Sequence, residues 1–387
     1  MREYIYIKNF GPINEVELND IRPFTILVGE SGSGKSTIMK LLVLFRWIYK
    51  MVNIRSYLYH SGISKSPFRF SFNTYLKNGE LDEYIIAKKS PEIIYRINDY
   101  EISYKDGKLN AKIIIRLEDI CLNKLSFISE QRNIIPDILN NKLRLSSVVP
   151  FYLEETYNDF LIADKVIDNI NIDYLNIRYL KQKTARGAKR IVENINGEDK
   201  YSIPLSAASS GIKTVIPLSI ITEYFAKHYN FQKEFNKTIF KFLSDNDKLT
   251  AFRPNINIGD INSQNIYIHI EEPELSLFPE SQRELVNFLV NRCAQVSSTT
   301  SHIHLILSTH SPYIVNHMNL LIMAALKEKG VGSYEANIAF ENISVYEIID
   351  GCVVELNNDQ KSIIDTTILS EPIKNTYIQY QYLESNK

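Results

Sequence analysis

Residues 29–36 form a glycine-rich segment that ends in a lysine followed by a serine. The segment matches the pattern GxxxxGK[ST], in which glycines let the backbone curl so that successive N–H groups point at phosphate oxygens. In this pattern the lysine ammonium contacts the β- and γ-phosphates, and the last hydroxyl ligates Mg²⁺. We therefore assign Lys35 to the phosphates and Ser36 to the metal. The predicted nucleotide-binding residues are Gly29, Glu30, Ser31, Gly32, Ser33, Gly34, Lys35, Ser36 and Thr37.

The segments on either side suit a phosphate-binding turn. Residues 24–28 are an apolar run typical of a buried strand, and apolar residues recur at helical spacing over residues 38–49. A helix that starts at the loop directs its free N–H groups at an anion. A glycine-rich linker before a helix is the alternative, which the order of strand, loop and helix disfavours. The sequence therefore predicts a nucleoside triphosphate site.

A second group of acidic residues follows a strand-like run at residues 266–270. In an open α/β sheet, ligands bind beyond the carboxyl ends of the strands, where Glu271 and Glu272 fall. A phosphate loop also needs an acid that holds the metal and a group that orients water. We assign Glu271 to Mg²⁺ and Glu272 to the attacking water. An acidic helix start is the alternative, since Glu is favoured in a first turn.

Histidines near the next strand are a third candidate feature. His310 follows a strand predicted at residues 304–307, and from there it can reach the γ-phosphate or the water held by Glu272. A structural role is the alternative for a single histidine at this position. His302 and His304 are two residues apart, a spacing that suits zinc. Because no third ligand is near, we interpret both as core or surface residues.

Residues 206–213 are small and polar, and they open a predicted helix. The unsatisfied N–H groups of a helix start, with serine and glycine beside them, form an anion site. An ordinary helix cap is the alternative.

Charge and composition exclude several classes of protein. The 387 residues include 44 Lys and Arg and 45 Asp and Glu, a formal net charge of −1, so DNA contact would need a local patch. Three widely spaced cysteines predict neither a disulfide framework nor a CxxC metal site. The sequence shows no signal peptide and no run of the ~18 apolar residues that cross a bilayer. We expect a cytoplasmic protein without membrane contact.

One basic cluster could follow a phosphate backbone, with a solvated loop as the alternative. The cluster comprises Lys181, Lys183, Arg186, Lys189 and Arg190.

The remaining pattern predicts an α/β protein. Strands are predicted at residues 4–7, 13–18, 92–97, 100–104, 111–115, 125–128 and 344–349, and a hairpin over 190–205. Helices are predicted over much of 138–180 and at 213–229, 233–243, 279–296 and 312–326.

Taken in chain order, these motifs resemble the ABC-type ATPase heads of the SMC, RecF and OLD-like group. The opening at residues 7–12, followed by residues 27–29, is similar to the start of RecF-like and SMC-like heads. The acidic segment at 271–274, with residues 277–279 and Gln282 behind it, resembles the OLD-like branch, as does the Ser-Thr-His-Ser-Pro segment. The resemblance covers the first 55 residues or so and residues 205–387.

The resemblance implies a P-loop mixed sheet flanked by helices, with an antiparallel β-subdomain and a mainly helical insertion. It implies four regions, namely an N-terminal ATPase lobe (1–55), a β-rich subdomain ending in a Q-loop-like segment (56–136), a helical arm with a hairpin (137–205) and a C-terminal ATPase lobe (206–387).

The resemblance also implies that two copies sandwich two ATP molecules with Mg²⁺. Ser209, Ser210 and Gly211 of one copy would then contact the γ-phosphate held by the other. Gln131 would be the Q-loop residue that links the nucleotide to the accessory region. Arg132 is expected to take part in a structural ion pair as the alternative to a Q-loop role.

Stand-alone heads of this kind resemble the ATPase subunits of bacterial anti-phage defence modules of the PARIS-like, Septu-like and retron-associated types. The resemblance therefore implies an ATPase that gates a separately encoded nuclease or toxin. No acidic nuclease motif follows His310, and we expect no nuclease activity in this chain. A RecF-like or SMC-like DNA repair or recombination ATPase is the alternative. The ATPase subunit of a transporter is a third class, which the weak signature segment disfavours.

Overall fold

The structure is a computed structural model that describes residues 2–63, 71–85, 90–140, 149–185, 187–196, 201–255, 257–261, 263–294 and 301–385. Its strands are β1 (Glu3–Phe10), β2 (Ile13–Leu18), β3 (Phe24–Val28), β4 (Glu92–Ile97), β5 (Tyr100–Lys105), β6 (Lys108–Asn110), β7 (Leu122–Ile128), β8 (Asn169–Ile172), β9 (Ile177–Thr184), β10 (Gly187–Asn194), β11 (Ser202–Pro204), β12 (Gln264–Glu271), β13 (Ser301–Thr309), β14 (Ile343–Ile349), β15 (Cys352–Glu355), β16 (Asn357–Asn358) and β17 (Ile363–Ile364). Its helices are α1 (Lys35–His60), α2 (Phe72–Asn78), α3 (Ile135–Leu139), α4 (Phe151–Val166), α5 (Ser210–Lys227), α6 (Phe231–Asp245), α7 (Pro279–Ala294), α8 (Pro312–Leu326) and α9 (Thr367–Ser385).

A large mixed sheet forms the centre of the described chain, in the order β6–β5–β4–β1–β2–β15–β14–β3–β13–β12–β7. Strands β14, β3, β13, β12 and β7 pair in parallel, and the half from β6 to β2 is antiparallel. Helix α1 packs against β7, β12 and β13. The predicted fold class, a mixed sheet flanked by helices, is confirmed. The antiparallel strands belong to this same sheet.

The parallel strands are apolar along most of their length because both faces of the sheet are covered. Every residue of β3 is buried, whereas β1 alternates buried with partly exposed residues over most of its length. Glu271 pairs with Ser308, and Thr309 pairs with Val28. The residues that follow β3, β12 and β13 therefore meet at one edge of the sheet, as ligand-binding residues of open α/β sheets do.

A smaller antiparallel sheet, ordered β11–β10–β9–β8, lies where a mainly helical segment was predicted. Helix α4 occupies only residues 151–166, and the chain then forms β8 and β9. Burial alternates along β8, and Ile177 and Tyr179 are the buried positions of β9. This period of two is typical of a strand, and the helical prediction for residues 169–180 is wrong. The predicted hairpin corresponds to β10 and β11.

Residues 111–115, predicted as a strand, have no regular structure. Arg55 on α1 donates from Nη2 to the carbonyls of Ala111 and Ile113, and the N–H of Ile115 donates to Ser56 Oγ at 2.9 Å. These bonds use backbone groups that a neighbouring strand would otherwise pair. Helix α1 therefore replaces the missing strand partner, which is possible because α1 continues to His60, well beyond the predicted end at Tyr49.

A buried ion pair joins α1 to β1 and β12. Arg46 and Glu3 are 1% and 2% exposed, and Arg46 Nη2 lies 2.6 Å from Glu3 Oε2. Arg46 Nη1 lies 2.8 Å from Nε2 of His269 on β12. The contacts hold the helix that follows the glycine loop against the strand that ends in acidic residues.

None of the described helices has the length and apolar character needed to cross a membrane.

Candidate nucleotide-binding site

The glycine-rich loop connects β3 to α1 and contains backbone that only glycine adopts readily. Gly34, the residue before α1, has φ 112°, in the left-handed region. Gly29 has φ 150°, and a Cβ there would lie 2.4 Å from the carbonyl oxygen of Ile348 on β14. Side chains at these two positions would force the loop to open. The loop is therefore curled as phosphate binding requires.

Lys35 occupies the first position of α1 and is 5% exposed. Its Nζ donates to the carbonyls of Gly29 at 2.8 Å and Glu30 at 2.7 Å. Burial lowers the pKa of Lys35, although the charges of Glu272, Glu274 and Glu30 oppose that shift. The ammonium thus lies inside the loop, held by neutral carbonyls that phosphate oxygens can replace.

Glu271 is the last residue of β12 and is 4% exposed. Its carboxyl is hydrogen-bonded to the carboxyl of Glu130 and to the hydroxyl of Ser36. Burial, followed by the bond to Glu130, raises the pKa of Glu271 to about 8. A proton shared between two carboxyls stands where a cation could replace it. Three hard oxygen donors beside the phosphate loop fit Mg²⁺, with Glu271, Ser36 and Glu130 as the groups that would hold it.

Glu272 and His310 face each other at the same edge of the sheet. His310 Nε2 lies 3.5 Å from Glu272 Oε1, and the two side chains are 34% and 36% exposed. His310 Nδ1 lies 3.5 Å from Lys35 Nζ. The structure therefore brings together the three residues predicted to be catalytic. Glu272 itself has φ 42°, an uncommon conformation for a residue other than glycine.

Glu274 positions His310 and was not assigned a role from the sequence. Its Oε1 accepts bonds from the backbone N–H of His310 at 2.7 Å and from Thr309 Oγ1 at 2.8 Å. Its Oε2 is buried and has no hydrogen-bond partner among the residues that the structure describes. The Glu-Pro-Glu spacing was visible in the sequence, but only the parallel pairing of β12 with β13 shows that the second Glu reaches the histidine segment.

The contacts of Arg132 also differ from the prediction, because its guanidinium is bonded to backbone carbonyls and not to a carboxylate. The guanidinium donates to the carbonyls of Glu271 and Glu272, both at 2.7 Å. No ion pair with Arg132 lies within 4 Å among the described residues, so the expected structural ion pair is wrong.

The Q-loop-like segment contains a site residue, Glu130, that was not predicted from the sequence. The side chain that bonds Glu271 is that of Glu130 and not that of Gln131. Gln131 is exposed on the same short 3-10 helix, Glu130–Ile134, and its backbone N–H donates to Ser129 Oγ at 3.2 Å. The role predicted for Gln131 stays a prediction.

The predicted signature segment lies beside the loop that follows β12. Ser210 Oγ is 2.8 Å from Ser276 Oγ, and a Cβ on Gly211 would lie 2.8 Å from the carbonyl oxygen of Ser276. Ser209 precedes α5, is exposed, and makes no side-chain cap bond. Its hydroxyl and the first N–H groups of α5 are therefore available to an anion.

The basic cluster lies on the hairpin of β9 and β10 and is partly neutralised. Lys181 Nζ is 2.8 Å from Asp168 Oδ1, and Arg190 Nη2 is 2.6 Å from Asp164 Oδ2. Lys183 and Lys189 are exposed. Arg186 lies outside the described residues.

His302 and His304 lie far from the glycine loop in the fold, at the amino end of β13. His304 is buried and stacks on Tyr267 with ring centroids 4.7 Å apart, whereas His302 is exposed. In the part of the chain that the structure describes, no group of three or more His, Cys, Asp or Glu side chains could hold a metal ion. Both histidines line a cavity of about 480 Å³ at the amino ends of β3, β12 and β13. That cavity is at the opposite edge of the sheet from Lys35.

The residues gathered at the carboxyl edge can bind a triphosphate and orient water. A curled loop offers N–H groups and an ammonium, Glu271 and Ser36 offer oxygen ligands, and Glu272 lies beside His310 near the ammonium. This is the set that phosphoryl transfer to water needs.

Comparisons with known proteins identify the family to which the chain belongs. A protein-family model described as "AAA domain, putative AbiEii toxin, Type IV TA system" matches residues 24–316. No curated protein matches the chain in sequence.

Among solved structures, the chain is similar to the SMC head domain from Thermotoga maritima, at 13% identity and a TM-score of 0.34, covering 92% of this chain and 98% of that chain. It is similar to an Smc head domain from Pyrococcus furiosus with an extended coiled coil, at 11% identity and a TM-score of 0.35, covering 95% and 98%. It is also similar to a dimeric ATP-binding cassette bound to ADP and Pi, at 11% identity and a TM-score of 0.30, covering 92% and 99%. The family model spans the glycine loop, the acidic strand end and His310, and the chain belongs to this AAA domain family.

Proposed function

We propose that the chain is an ABC-type ATPase that binds ATP with Mg²⁺ and hydrolyses it between two copies of itself. The observation that carries the proposal is the contact of Lys35, His310 and Glu272, which come from three distant parts of the sequence. Glu272 and His310 keep about a third of their side-chain surface exposed, so a ligand can reach both of them.

Each residue has a role that follows from its position. Lys35 would exchange two carbonyl partners for phosphate oxygens, which are charged acceptors and bind an ammonium more strongly. Bound Mg²⁺ would supply charge neutralisation at the phosphates, with Ser36 and Glu271 as its protein ligands. Glu272 accepts the proton of the attacking water, and His310 holds the Glu272 carboxylate and senses the γ-phosphate.

The dimer in this proposal rests on the start of α5. Ser209 is exposed, its hydroxyl caps nothing, and the helix N-terminus carries a partial positive charge. Within one copy Ser210 contacts Ser276, and the exposed Ser209 is accessible to another molecule. We infer that Ser209, Ser210 and Gly211 of one copy close over the phosphates held by the other.

The effector part of the proposal rests on the family and on analogy. The family description names a toxin of a toxin–antitoxin system. We propose that ATP-driven association of the chain holds or releases a separately encoded toxin or nuclease in anti-phage defence, and that this chain has no nuclease activity. Co-purification with the product of the neighbouring gene, with and without ATP, tests this step separately from hydrolysis.

Two substitutions test the ATPase itself. Lys35→Ala removes the phosphate ammonium and should abolish ATP binding in a filter or fluorescence assay. Glu272→Gln keeps every binding group but cannot accept a proton, so it should bind ATP, release phosphate only at a low residual rate and accumulate a dimer in sedimentation velocity.

Glu280→Gln, an exposed Glu-to-Gln change at the start of α7, is the matched control and should hydrolyse ATP at the native rate. Native turnover in Glu272→Gln would contradict the role of Glu272, and ATP binding by Lys35→Ala would contradict the site.

A further inference from the structure

Arg132 is fully buried, and its partners are four backbone carbonyls. Beyond the two bonds to Glu271 and Glu272, Nη1 donates to the carbonyl of Ser129 at 3.0 Å and Nε donates to the carbonyl of Thr214 at 3.2 Å. A buried guanidinium that lacks an ion pair is costly, so its hydrogen bonds must be satisfied by groups that are themselves fixed.

The guanidinium lies among the acidic residues at this edge of the sheet. Its hydrogen bonds in the described chain go to the backbone carbonyls of Glu271 and Glu272 and not to the carboxylates of these residues.

These bonds restrain both peptide groups that flank Glu272. In the peptide before it, Arg132 binds the Glu271 carbonyl while the N–H of Glu272 donates to Ser308 at 2.9 Å. In the peptide after it, Arg132 binds the Glu272 carbonyl. Glu272 needs such restraint because its φ of 42° is unfavourable for a residue with a side chain.

The fourth bond links this arrangement to the signature helix. Thr214 lies in the first turns of α5, and its carbonyl accepts the bond from Nε of Arg132. Arg132 thus spans from the helix that carries Ser209 and Gly211 to the strand end that carries Glu272.

We propose that Arg132 is a positioning residue of the ATPase reaction. It fixes the backbone of Glu272 so that the carboxylate faces the attacking water, and it ties that geometry to the start of α5. The inference rests on the proposed function. It adds that hydrolysis requires Arg132, whereas the binding of ATP does not.

Arg132→Lys keeps the charge but has one nitrogen in place of three, and Arg132→Gln removes the charge. Because a misplaced catalytic group costs about 10²-fold in rate, both variants should lose at least about tenfold in kcat. The dissociation constant for ATP should stay within about threefold, because none of the Arg132 hydrogen bonds in the described chain reaches the glycine loop. Two variants are needed in case one does not fold, which circular dichroism reports.

Arg190→Lys is the matched control, since Arg190 is also largely buried and its ion pair with Asp164 joins β10 to α4, which carry no residue of the site. It should lower the melting temperature and leave kcat within about twofold of native. A merely structural role for Arg132 would give this same pattern, so folded Arg132→Lys with native kcat would overturn the proposal.

The combination with Glu272→Gln separates this proposal from the proposed function. If Arg132 acts through Glu272, Arg132→Lys should cause no further loss of the residual hydrolysis of Glu272→Gln. A multiplied loss would overturn the positioning role while leaving the ATPase intact. Absence of hydrolysis in the native protein would instead overturn the proposed function.

Discussion

At the scale of single residues, the charge of Lys35 has no carboxylate partner within hydrogen-bond distance in the described chain. Its ammonium is bonded to two carbonyls, while Glu272 and Glu274 act on it only across a longer distance. Neutral acceptors bind an ammonium less strongly than charged ones do. Phosphate oxygens therefore displace only weak partners when they enter the loop, which favours tight binding without a rearrangement of α1.

The burial of the His304 side chain can be tested through protein stability, in the absence of any nucleotide. Neither ring nitrogen has a hydrogen-bond partner within the described ranges of the chain. Burial, followed by the charge of Arg46, lowers the pKa of His304 to about 3. Replacing it with Phe keeps the stacking on Tyr267 and removes two unsatisfied polar atoms, so His304→Phe should stabilise the protein by about 1 kcal/mol at pH 7.

The pH dependence of that difference has a definite sign. An unfolded histidine takes up a proton below about pH 6.5, whereas folded His304 does not, so native stability falls as the pH drops below that value. The advantage of His304→Phe should widen by up to about 2 kcal/mol between pH 7 and pH 5. Thermal melts at both pH values check this, with exposed His302→Phe as the control. An advantage that shrinks toward pH 5 would contradict the burial of a neutral His304.

The role of a residue could be predicted from the sequence where the residue belongs to a motif. It could not be predicted where the role depends on contacts with residues far away in the sequence. Lys35, Glu272 and His310 each end a recognisable strand or loop, and parallel pairing brings those ends together. Glu130 and Arg132 carry no such pattern. Their roles depend on contacts with Glu271 and Glu272 across more than a third of the chain, which one sequence does not reveal.

At the scale of elements, the start of α5 is tightly packed against the loop after β12. In a helix with free space around the glycine, a Gly→Ala substitution would stabilise the folded protein by about 0.5–1 kcal/mol. Because a Cβ at Gly211 would lie 2.8 Å from the Ser276 carbonyl, Gly211→Ala should instead lower the melting temperature.

Ser209→Ala separates packing from function at this same helix start. The Ser209 hydroxyl makes no cap bond, so the variant should melt at the native temperature. Its ATP-dependent dimer should nevertheless weaken, which sedimentation velocity of Ser209→Ala in the Glu272→Gln background measures. A full-strength dimer would contradict the predicted contact with the partner's nucleotide.

Helices and strands with a strong apolar periodicity of their own were predicted well. Segments whose backbone conformation depends on hydrogen bonds to another element were not. Strands β12, β13 and β14 and helices α5, α7 and α8 follow apolar patterns that belong to the segment itself. Strand β8 is only four residues long and depends on β9 for its hydrogen bonds. Residues 111–115 have a strand-like pattern, but their backbone is bonded by α1.

At the scale of the whole molecule, the basic hairpin distinguishes an effector-gating ATPase from one that acts on DNA. Two cations of the basic cluster form ion pairs, one with Asp164 and one with Asp168. Both acidic residues precede the hairpin in sequence, so they lie outside residues 181–190, which contain the cluster. Among the described cations of the cluster, Lys183 and Lys189 are the exposed ones. A phosphate contact contributes about 0.9 to the slope of log affinity against log salt, so these two lysines support a slope of about 2 at most.

Filter binding of duplex DNA over a range of salt measures this slope, with and without ATP. We expect weak binding that Lys183→Gln combined with Lys189→Gln reduces further. A slope several times larger, together with ATP dependence, would favour the DNA repair class over the proposed function.

The position of β3 within the large sheet determines when the glycine loop can take its folded shape. The two neighbours of β3, which are β13 and β14, both follow it by more than 270 residues. During translation the glycine loop therefore emerges from the ribosome long before the strands that pair with β3. Pairing over such long sequence separations is slow. We therefore expect that a nascent chain that still lacks β13 and β14 does not bind nucleotide.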